Sequence, residues 1–399
     1  MFSSFSIRDF RIYLIGMFVS MCGTWIQTIA QSWLVFELSN SSFLLGLTGF
    51  VSYLPILLLS LFSGVLVDRI NRRNILLFTQ ILFMISAFLL AIFAQLKIIT
   101  VNFILFISLL NGIILSIDAP ARQTIIVELV GKPKILNAIA LNSVAFHLAR
   151  VLGPALAGML IATMGITGCF YINAISFLAF IIALLLINPK QIINNSNNYF
   201  LGDLRSGLKF IRDNRIYLIL MGIVGVVSLF GFSYVILMPV VAKNIFNLGV
   251  KGYGLFMAAT GVGSLLAGLM LAGFKIGNLQ SKILVFSIYT FSISLMIFAL
   301  SKSLILSIFI LAVAGFSILS SLTIINSLIQ AMVPDEFRGR IMSVYMLTFA
   351  GTMPIGSLLA GSLSYLIGVG PTLFLFGLAC FISFLFLSNK IKSKEFMLV

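Results

Sequence analysis

The stretch GVLVDRINRR, residues 64–73, puts one acid and three arginines into a short turn between two long apolar segments. Arginines beside an apolar segment direct its insertion into a membrane, whereas a lone carboxylate contributes little to that sorting. Asp68 therefore needs another explanation. An acid at the end of a helix is best placed against the positive N-terminus of a neighbouring helix, and we expect that neighbour to begin near residues 338–341.

The composition is that of an integral membrane protein. Charged residues make up 9% of the 399 residues and hydrophobic residues 61%, whereas a water-soluble domain needs far more charge to cover its surface. Cys22, Cys169 and Cys380 have neither paired nor metal-ligand spacing, so we interpret them as buried packing residues.

Apolar runs separated by polar breaks predict an all-α protein with twelve transmembrane helices, because about 20 apolar residues cross a bilayer. The predicted spans are 12–36, 43–67, 75–95, 103–128, 136–163, 166–187, 216–242, 252–274, 283–301, 304–331, 341–366 and 371–388.

The positive charge is sorted along these spans. With the N-terminus in the cytoplasm, only Lys97, Lys243, Lys251 and Lys302 of the 25 Lys and Arg fall in outward connections, and Arg150 lies within a span. The other twenty lie at inward ends and loops, which is the positive-inside bias. The net charge of +15 thus reflects topology, so we expect a lipid bilayer and no nucleic acid as partner. The predicted location is the inner membrane, with both termini cytoplasmic.

Residues 188–213 are the only polar stretch of any length. Their Asn, Ser and charged residues predict a cytoplasmic linker with a short amphipathic helix at 201–212. The linker divides the spans six and six. The predicted parts are an N-terminal six-helix bundle at 1–187, the linker at 188–213 and a C-terminal six-helix bundle at 214–399.

The second half repeats features of the first. The tetrapeptide RIYL at 11–14 recurs at 215–218, and Pro154 in the fifth span has a counterpart, Pro354, in the eleventh. Pseudo-symmetric six-span halves, related by an axis along the membrane normal, are an architecture of transporters.

GVLVDRINRR resembles the loop signature of the major facilitator superfamily, G-x-x-x-D-R-x-G-R-R, with Asn71 at the last glycine position. Asn tolerates the left-handed backbone that such a turn needs, so we expect little change. The resemblance implies that Asp68 docks on the eleventh span and helps to close the cytoplasmic side, while Arg72 pairs with Glu128. The predicted cytoplasmic gate comprises Gly64, Asp68, Arg69, Arg72, Arg73 and Glu128.

The resemblance extends along the chain. GTWIQ at 23–27, DAPARQ at 118–123 and ARVLGPALAG at 149–158 are similar to the branch that contains macrolide-efflux proteins and the enterobactin exporter. In the last stretch Gly153, Pro154 and Gly158 resemble the antiporter signature G-P-x-x-G-G, with Ala157 in place of a glycine. This resemblance implies export. The small residues also predict a close helix-packing surface.

Charged groups at membrane depth cost about 2.5–3.5 kcal/mol each and usually face a partner or a wet cavity. At about 1.5 Å per residue, Asp118 and Arg150 lie at similar depths, so we expect Arg150 or His147 to reach Asp118. Asp118 is then either the carrier of a coupling proton or half of a fixed ion pair. Arg122, one turn from Asp118, is an alternative intrahelical partner, and the lone His147 is alternatively a packing residue.

Polar side chains in the first span suggest a substrate cavity. Trp25, Gln27 and Gln31 lie in an otherwise apolar run, and the two glutamines are one turn apart on one face. The family resemblance implies that spans one, four, seven and ten line the central path. Hydrogen bonding between spans is the alternative for these side chains.

The predicted function is a secondary active transporter that exports a small amphipathic molecule, of the drug, macrolide or siderophore type, by proton antiport and alternating access. The alternatives are proton-symport uptake and a non-transporting membrane scaffold. The sequence has no nucleophile, metal cluster or paired acids at one membrane face that would indicate an enzyme. It also has no G-x-x-x-x-G-K-[ST] loop, which would indicate ATP-driven transport. We expect no cofactor, a proton gradient as the energy source, and function as a monomer.

The substitution Asp68→Asn tests the predicted gate. Loss of the negative charge removes the attraction to a helix N-terminus, so we expect export to be abolished while the amount of protein in the membrane is unchanged. Substrate efflux and membrane-fraction immunoblots measure the two quantities. Full transport by this variant contradicts the gate.

Overall fold

The computed structural model describes residues 4–131, 134–189, 200–273 and 279–391. All regular secondary structure in these ranges is helical. The side chains at 60–62, 64, 65, 68, 69, 136, 200–205, 272, 273, 335, 336, 338, 339 and 388–391 lie outside this description. The α-helices are α1 (Arg8–Ser39), α2 (Ser42–Arg69), α3 (Arg72–Gln95), α4 (Val101–Val130), α5 (Ile135–Leu186), α6 (Phe200–Asp213), α7 (Arg215–Val226), α8 (Met238–Val240), α9 (Gly249–Gly273), α10 (Gln280–Leu300), α11 (Leu304–Met332), α12 (Asp335–Ile367) and α13 (Val369–Ile391).

Helix α5 contains two of the twelve predicted spans. Its 52 residues correspond to about 78 Å of helix, more than twice the hydrocarbon thickness of about 30 Å. Gly165, at φ 73° and ψ 178°, interrupts it. Gly153 lies against Cys22 of α1, and Ser176 lies against the next residue, Gly23. The chain therefore reverses at Gly165, and the eleven long apolar helices of the described residues provide the twelve spans.

The seventh span is the least regular. After α7 it continues through a π-helical segment (Val227–Gly231), a 3-10 segment (Ser233–Leu237), the short α8 and a second π-helical segment (Val241–Ile245). Pro239, which lies in α8, has no N–H to donate to the preceding turn. Such irregular turns concentrate at functional sites in membrane and soluble helices.

The predicted amphipathic helix in the linker is confirmed as α6. Its Ile211 is buried, whereas Leu208 and Lys209 are exposed. The ring of Phe210 stacks on that of Phe337 in α12, with centroids 4.7 Å apart. The helix thus packs onto the start of the eleventh span.

The chain forms two compact units, each held together by contacts among its own residues. The first comprises residues 1–40, 51–196 and 248–258, and the second 41–50, 197–247 and 259–399. In the first unit α3 packs on α4 and α5; in the second, α10 packs on α11 and α13. This repeated packing is that of two pseudo-symmetric six-helix halves, as predicted, while the boundaries at 187 and 213 remain predictions.

The repeated tetrapeptide occupies equivalent places. RIYL lies in the first turns of α1 and again at the beginning of α7. Tyr13 and Tyr217 are both buried. Tyr13 belongs to the hydrophobic core of the first unit, and the ring of Tyr217 lies against that of Phe210 in α6. The hydroxyl of Tyr13 donates a hydrogen bond to the carbonyl of Arg122 in α4, at 3.4 Å.

Small residues bring backbones together twice. In the first unit, a Cβ on Gly254 of α9 would lie 3.0 Å from the Pro154 carbonyl and 3.1 Å from the Cα of Gly158. In the second, a Cβ on Gly46 of α2 would lie 2.6 Å from the Ser357 carbonyl of α12. Close approach of this kind is how small residues serve helix packing in lipid, and it confirms the predicted packing surface around Pro154.

Gly254→Val tests this packing. Its side chain would press on backbone atoms that cannot rotate away, so we expect a loss of about 1–3 kcal/mol in stability, read as a lower thermal unfolding midpoint in detergent. The matched control is Gly158→Ala, whose Cβ would meet Lys251 at an ordinary 3.6 Å and should leave the midpoint unchanged or raise it. Equal midpoints for wild type and Gly254→Val contradict the close approach.

Candidate functional site

The turn between α2 and α3 is stabilised by Asn71. Its side-chain oxygen accepts hydrogen bonds from the backbone N–H groups of Arg73, at 2.9 Å, and Asn74, at 3.4 Å. Asn71 has φ −57° and ψ 117°, so the expectation of a left-handed backbone there is wrong. The residue is the N-cap of α3, a position at which an extended backbone and a short polar side chain are favoured.

Arg72 and Glu128 form the predicted ion pair. Arg72 Nη1 lies 2.9 Å from Glu128 Oε1, and the two side chains are 7% and 3% exposed. Arg72 is the first residue of α3 and Glu128 lies in the last turn of α4. Each charge therefore has the same sign as the partial charge of its own helix end. The partner's charge offsets this unfavourable placement, so the pair joins the two helix ends.

The other arginine of the turn has a different partner. Arg73 Nε and Nη2 donate to the carbonyl oxygens of Leu184 and Leu185, at 2.6 and 2.8 Å. These are the last carbonyls of α5, which favour a cation. The side chains of Gly64, Asp68 and Arg69 lie outside the described part, so their assignment to the gate remains a prediction.

Asp118 lies near the middle of α4 and is 1% exposed. Its Oδ1 accepts hydrogen bonds from Thr79 Oγ1 and Gln80 Nε2 of α3, each at 2.7 Å. Its Oδ2 accepts from Arg122 Nε, one turn away. The Arg122 guanidinium also lies 4.6 Å from the centroid of the Phe180 ring in α5. Two neutral donors and one cation thus surround one buried carboxylate.

The expectation that Arg150 pairs with Asp118 is wrong. Arg122 shares a face of α4 with Asp118 at a spacing of four residues and provides its counter-charge. The Arg150 guanidinium instead lies 5.6 Å from the ring centroid of Trp25 in α1. Equal depth along two helices does not make their side chains face each other.

His147 does not reach Asp118 either. Its ring lies edge-on to Phe146, at 5.6 Å between centroids, and Phe146 in turn meets Trp25 edge-to-face at 6.4 Å. His147 Nδ1 is buried and has no hydrogen-bond partner among the described residues. The histidine therefore packs in an aromatic row beside Arg150.

The two glutamines of the first span bridge helices. Gln27 Oε1 accepts from Asn173 Nδ2 of α5 at 2.6 Å, and Gln31 Nε2 donates to Ser108 Oγ of α4 at 2.9 Å. The alternative of interhelical hydrogen bonding is thus what the structure shows. Trp25 of the same span lies beside the Arg150 guanidinium.

Sequence reasoning missed the partners of Asp118 on α3. Thr79 and Gln80 form an adjacent polar pair within the otherwise apolar run that begins at residue 75, and both are buried. A polar pair at membrane depth was a usable signal, because such groups need partners there. Among the described residues, no group of three or more His, Cys, Asp or Glu side chains is placed to hold a metal.

Twelve spans in two pseudo-symmetric halves, with a basic and acidic turn after the second span, define a transporter of the major facilitator superfamily. A crystal structure of a POT family transporter in complex with a thioalcohol-conjugated peptide has the same fold. It aligns with a TM-score of 0.77 over 97% of both chains, at 16% identity.

The family described as transmembrane secretion effector matches residues 1–396, and the chain belongs to it. The staphyloferrin A transporter of Staphylococcus aureus is 26% identical over 96% of this chain and 97% of its own length. Macrolide efflux protein A of Streptococcus pyogenes is 22% identical over 94% of both. The enterobactin exporter EntS of Shigella boydii is 22% identical over 89% of this chain and 85% of its own. The protein is thus a multi-pass membrane transporter of a small molecule, not an enzyme.

A double-mutant cycle tests the Arg72–Glu128 pair. Glu128→Gln removes one negative charge beside the buried Arg72, and we expect it to lower the free energy of unfolding by about 3–5 kcal/mol. Combined with Arg72→Gln, the loss should be well below the sum of the two single losses. Unfolding equilibria in mixed micelles supply the values.

Arg73→Gln is the matched control for that cycle. Arg73 lies in the same turn but bonds the end of α5, so its loss should add to that of Glu128→Gln within about 0.5 kcal/mol. Additivity of Arg72→Gln and Glu128→Gln contradicts the pair.

Proposed function

We propose that the protein exports a small amphipathic molecule, of the drug, macrolide or siderophore type, by proton antiport and alternating access. It functions as a monomer in the bacterial inner membrane with both termini cytoplasmic, and it uses the proton gradient without a cofactor. Relatives named as efflux proteins and exporters support export as the direction of transport. The buried, three-fold hydrogen-bonded Asp118 supports the proton step.

Asp118 is placed where a proton carrier is needed. It lies about 18 Å from the C-terminal end of α4 and about 26 Å from its start, at 1.5 Å per residue. The sequence contains ten acids. The other described acids of the long helices lie near helix ends: Asp9 is in the first turn of α1, Glu37 is exposed near its end, and Glu128 is paired with Arg72. Among the described acids, Asp118 therefore lies at the greatest depth.

Protonation of Asp118 changes the balance of charge between α3 and α4. With the acid ionised, Arg122 has a counter-charge and α3 is joined to α4 by two hydrogen bonds to the carboxylate. A bound proton removes that counter-charge and leaves Arg122 as an uncompensated cation at membrane depth, which is costly. The proton thus favours a different arrangement around α4, and its release restores the first one.

The cytoplasmic gate of the proposed cycle rests on Asp68, Arg72 and Glu128. The ion pair holds the ends of α3 and α4 together, and Asp68 adds the docking contact on the eleventh span. Gly153, Pro154 and Gly158 supply the closely packed surface of the antiporter signature. We also assign Gly64, Arg69 and Arg73, which lie in the same turn of the sequence as Asp68, to this gate.

For the substrate we propose the row of Trp25, Phe146 and Arg150. Aromatic faces beside a guanidinium suit an amphipathic molecule that has both ring or chain carbons and acidic oxygens. Siderophores combine these features. Gln27 and Gln31 already bond other helices and position α1.

Reconstituted vesicles test the role of Asp118. Asp118→Asn keeps the shape of the side chain but cannot exchange a proton, so we expect pH-gradient-driven transport against a substrate gradient to be lost while downhill transport remains. The assay uses a panel of macrolides, siderophores and dyes. Proton-symport uptake would appear as movement of substrate together with protons.

Asp213→Asn is the matched control, because this acid is exposed at the end of α6. This variant should transport substrate as the wild type does. If Asp118→Asn still moves substrate uphill in response to the pH gradient, Asp118 is a structural brace and the proton is carried elsewhere.

A further inference from the structure

The hydroxyl group of Thr79 faces two acceptors. Thr79 Oγ1 lies 2.7 Å from Asp118 Oδ1 and 3.0 Å from the backbone carbonyl oxygen of Leu76, one turn earlier in α3. A hydroxyl has one hydrogen to donate and two lone pairs with which to accept. It can therefore donate to only one of these oxygens at a time, and when it donates to Leu76 it can accept from Asp118.

The two oxygens of Asp118 have different surroundings. Arg122 donates to Oδ2, and an arginine has no atom that accepts a hydrogen bond. Among the described residues, the groups that donate to Oδ1 are two neutral side chains of α3, Thr79 and Gln80. Among the described residues, Tyr13 of α1 is a further titratable group in electrostatic range, and its hydroxyl donates to the Arg122 carbonyl. Helix α5 contributes the Phe180 ring. A proton on Oδ2 would face a donor, whereas a proton on Oδ1 faces an acceptor.

We infer that Asp118 takes its proton on Oδ1 and that Thr79 is the positioning residue that accepts the resulting hydrogen bond. This inference rests on the proton-carrier role proposed above. In the ionised state the Thr79 hydroxyl donates to Oδ1. In the protonated state it turns to the Leu76 carbonyl and accepts from Asp118. The proton comes from the aqueous phase and returns to it. The hydrogen bond between Thr79 Oγ1 and Asp118 Oδ1 reverses its direction by rotation of the hydroxyl hydrogen, before any rearrangement around α4.

Gln80 is less suited to this task. Its Nε2 donates to Asp118 Oδ1, and its Oε1 is buried without a hydrogen-bond partner among the described residues. To accept a hydrogen bond from the protonated acid through Oε1, the amide would have to rotate and withdraw Nε2 from the carboxyl group. Thr79 serves both protonation states by turning a single hydrogen, so we assign Gln80 to the ionised state.

Infrared difference spectroscopy of the full-length protein in lipid nanodiscs tests the inference. A pH change should produce a carboxylic C=O band that Asp118→Asn removes. In Thr79→Val, which keeps the side-chain shape but has no hydroxyl, we expect this band at higher wavenumber, because the acid has lost its acceptor. Thr79→Ser restores the hydroxyl and should restore the band position. Thr79→Ala is a second hydroxyl-free variant, to be used if the valine variant does not fold.

Ser86→Ala is the matched control, since Ser86 also joins α3 to α4 but bonds the neutral Asn111, at 2.7 Å. In this variant the carboxylic C=O band of Asp118 should keep its wild-type position. A band that Asp118→Asn removes but that is unmoved in both hydroxyl-free variants overturns the role of Thr79 and leaves the proton carrier standing. The absence of any band that depends on Asp118 overturns both.

Discussion

A charged side chain inside a bilayer has to find its partners within the protein, since lipid tails offer none. Among its described residues, the first unit meets this requirement with two buried ion pairs of different kinds. Arg72 and Glu128 come from separate helices, so their attraction determines which helix ends lie together. Asp118 and Arg122 come from the same helix, so their attraction leaves the neighbours of α4 free to contribute neutral donors.

This difference suits the two pairs to different tasks. A pair that spans two helices is a clamp, because separating the helices exposes two opposite charges to a low dielectric. A pair within one helix stays together whatever the neighbours do, so a change in its protonation acts on the neutral contacts around it. In the proposed transport cycle we therefore assign the proton step to Asp118 and the closure to Arg72.

The sequence predicts well how deep a residue lies in the membrane, but poorly which neighbouring helix its side chain faces. The twelve spans, the linker helix and the Arg72–Glu128 pair follow from hydropathy, charge and motif, which depend on position along the chain. The partner of Asp118 depends on how each helix is rotated about its axis, and neither Arg150 nor His147 proved to face it. Asn71 shows the same limit at the level of one residue: its type fits either a left-handed turn or a helix cap, and only the backbone distinguishes them. Thr79 and Gln80 were visible as a polar pair, but their target was not.

The reversal at Gly165 has a consequence for how the chain enters the membrane. Residues 151–187, which contain the reversal, include no charged side chain. Their two arms thus provide no positive-inside signal of their own, and no charged residue separates them. The fifth and sixth spans should therefore leave the translocon as a single helical hairpin, oriented by the basic residues on either side of it.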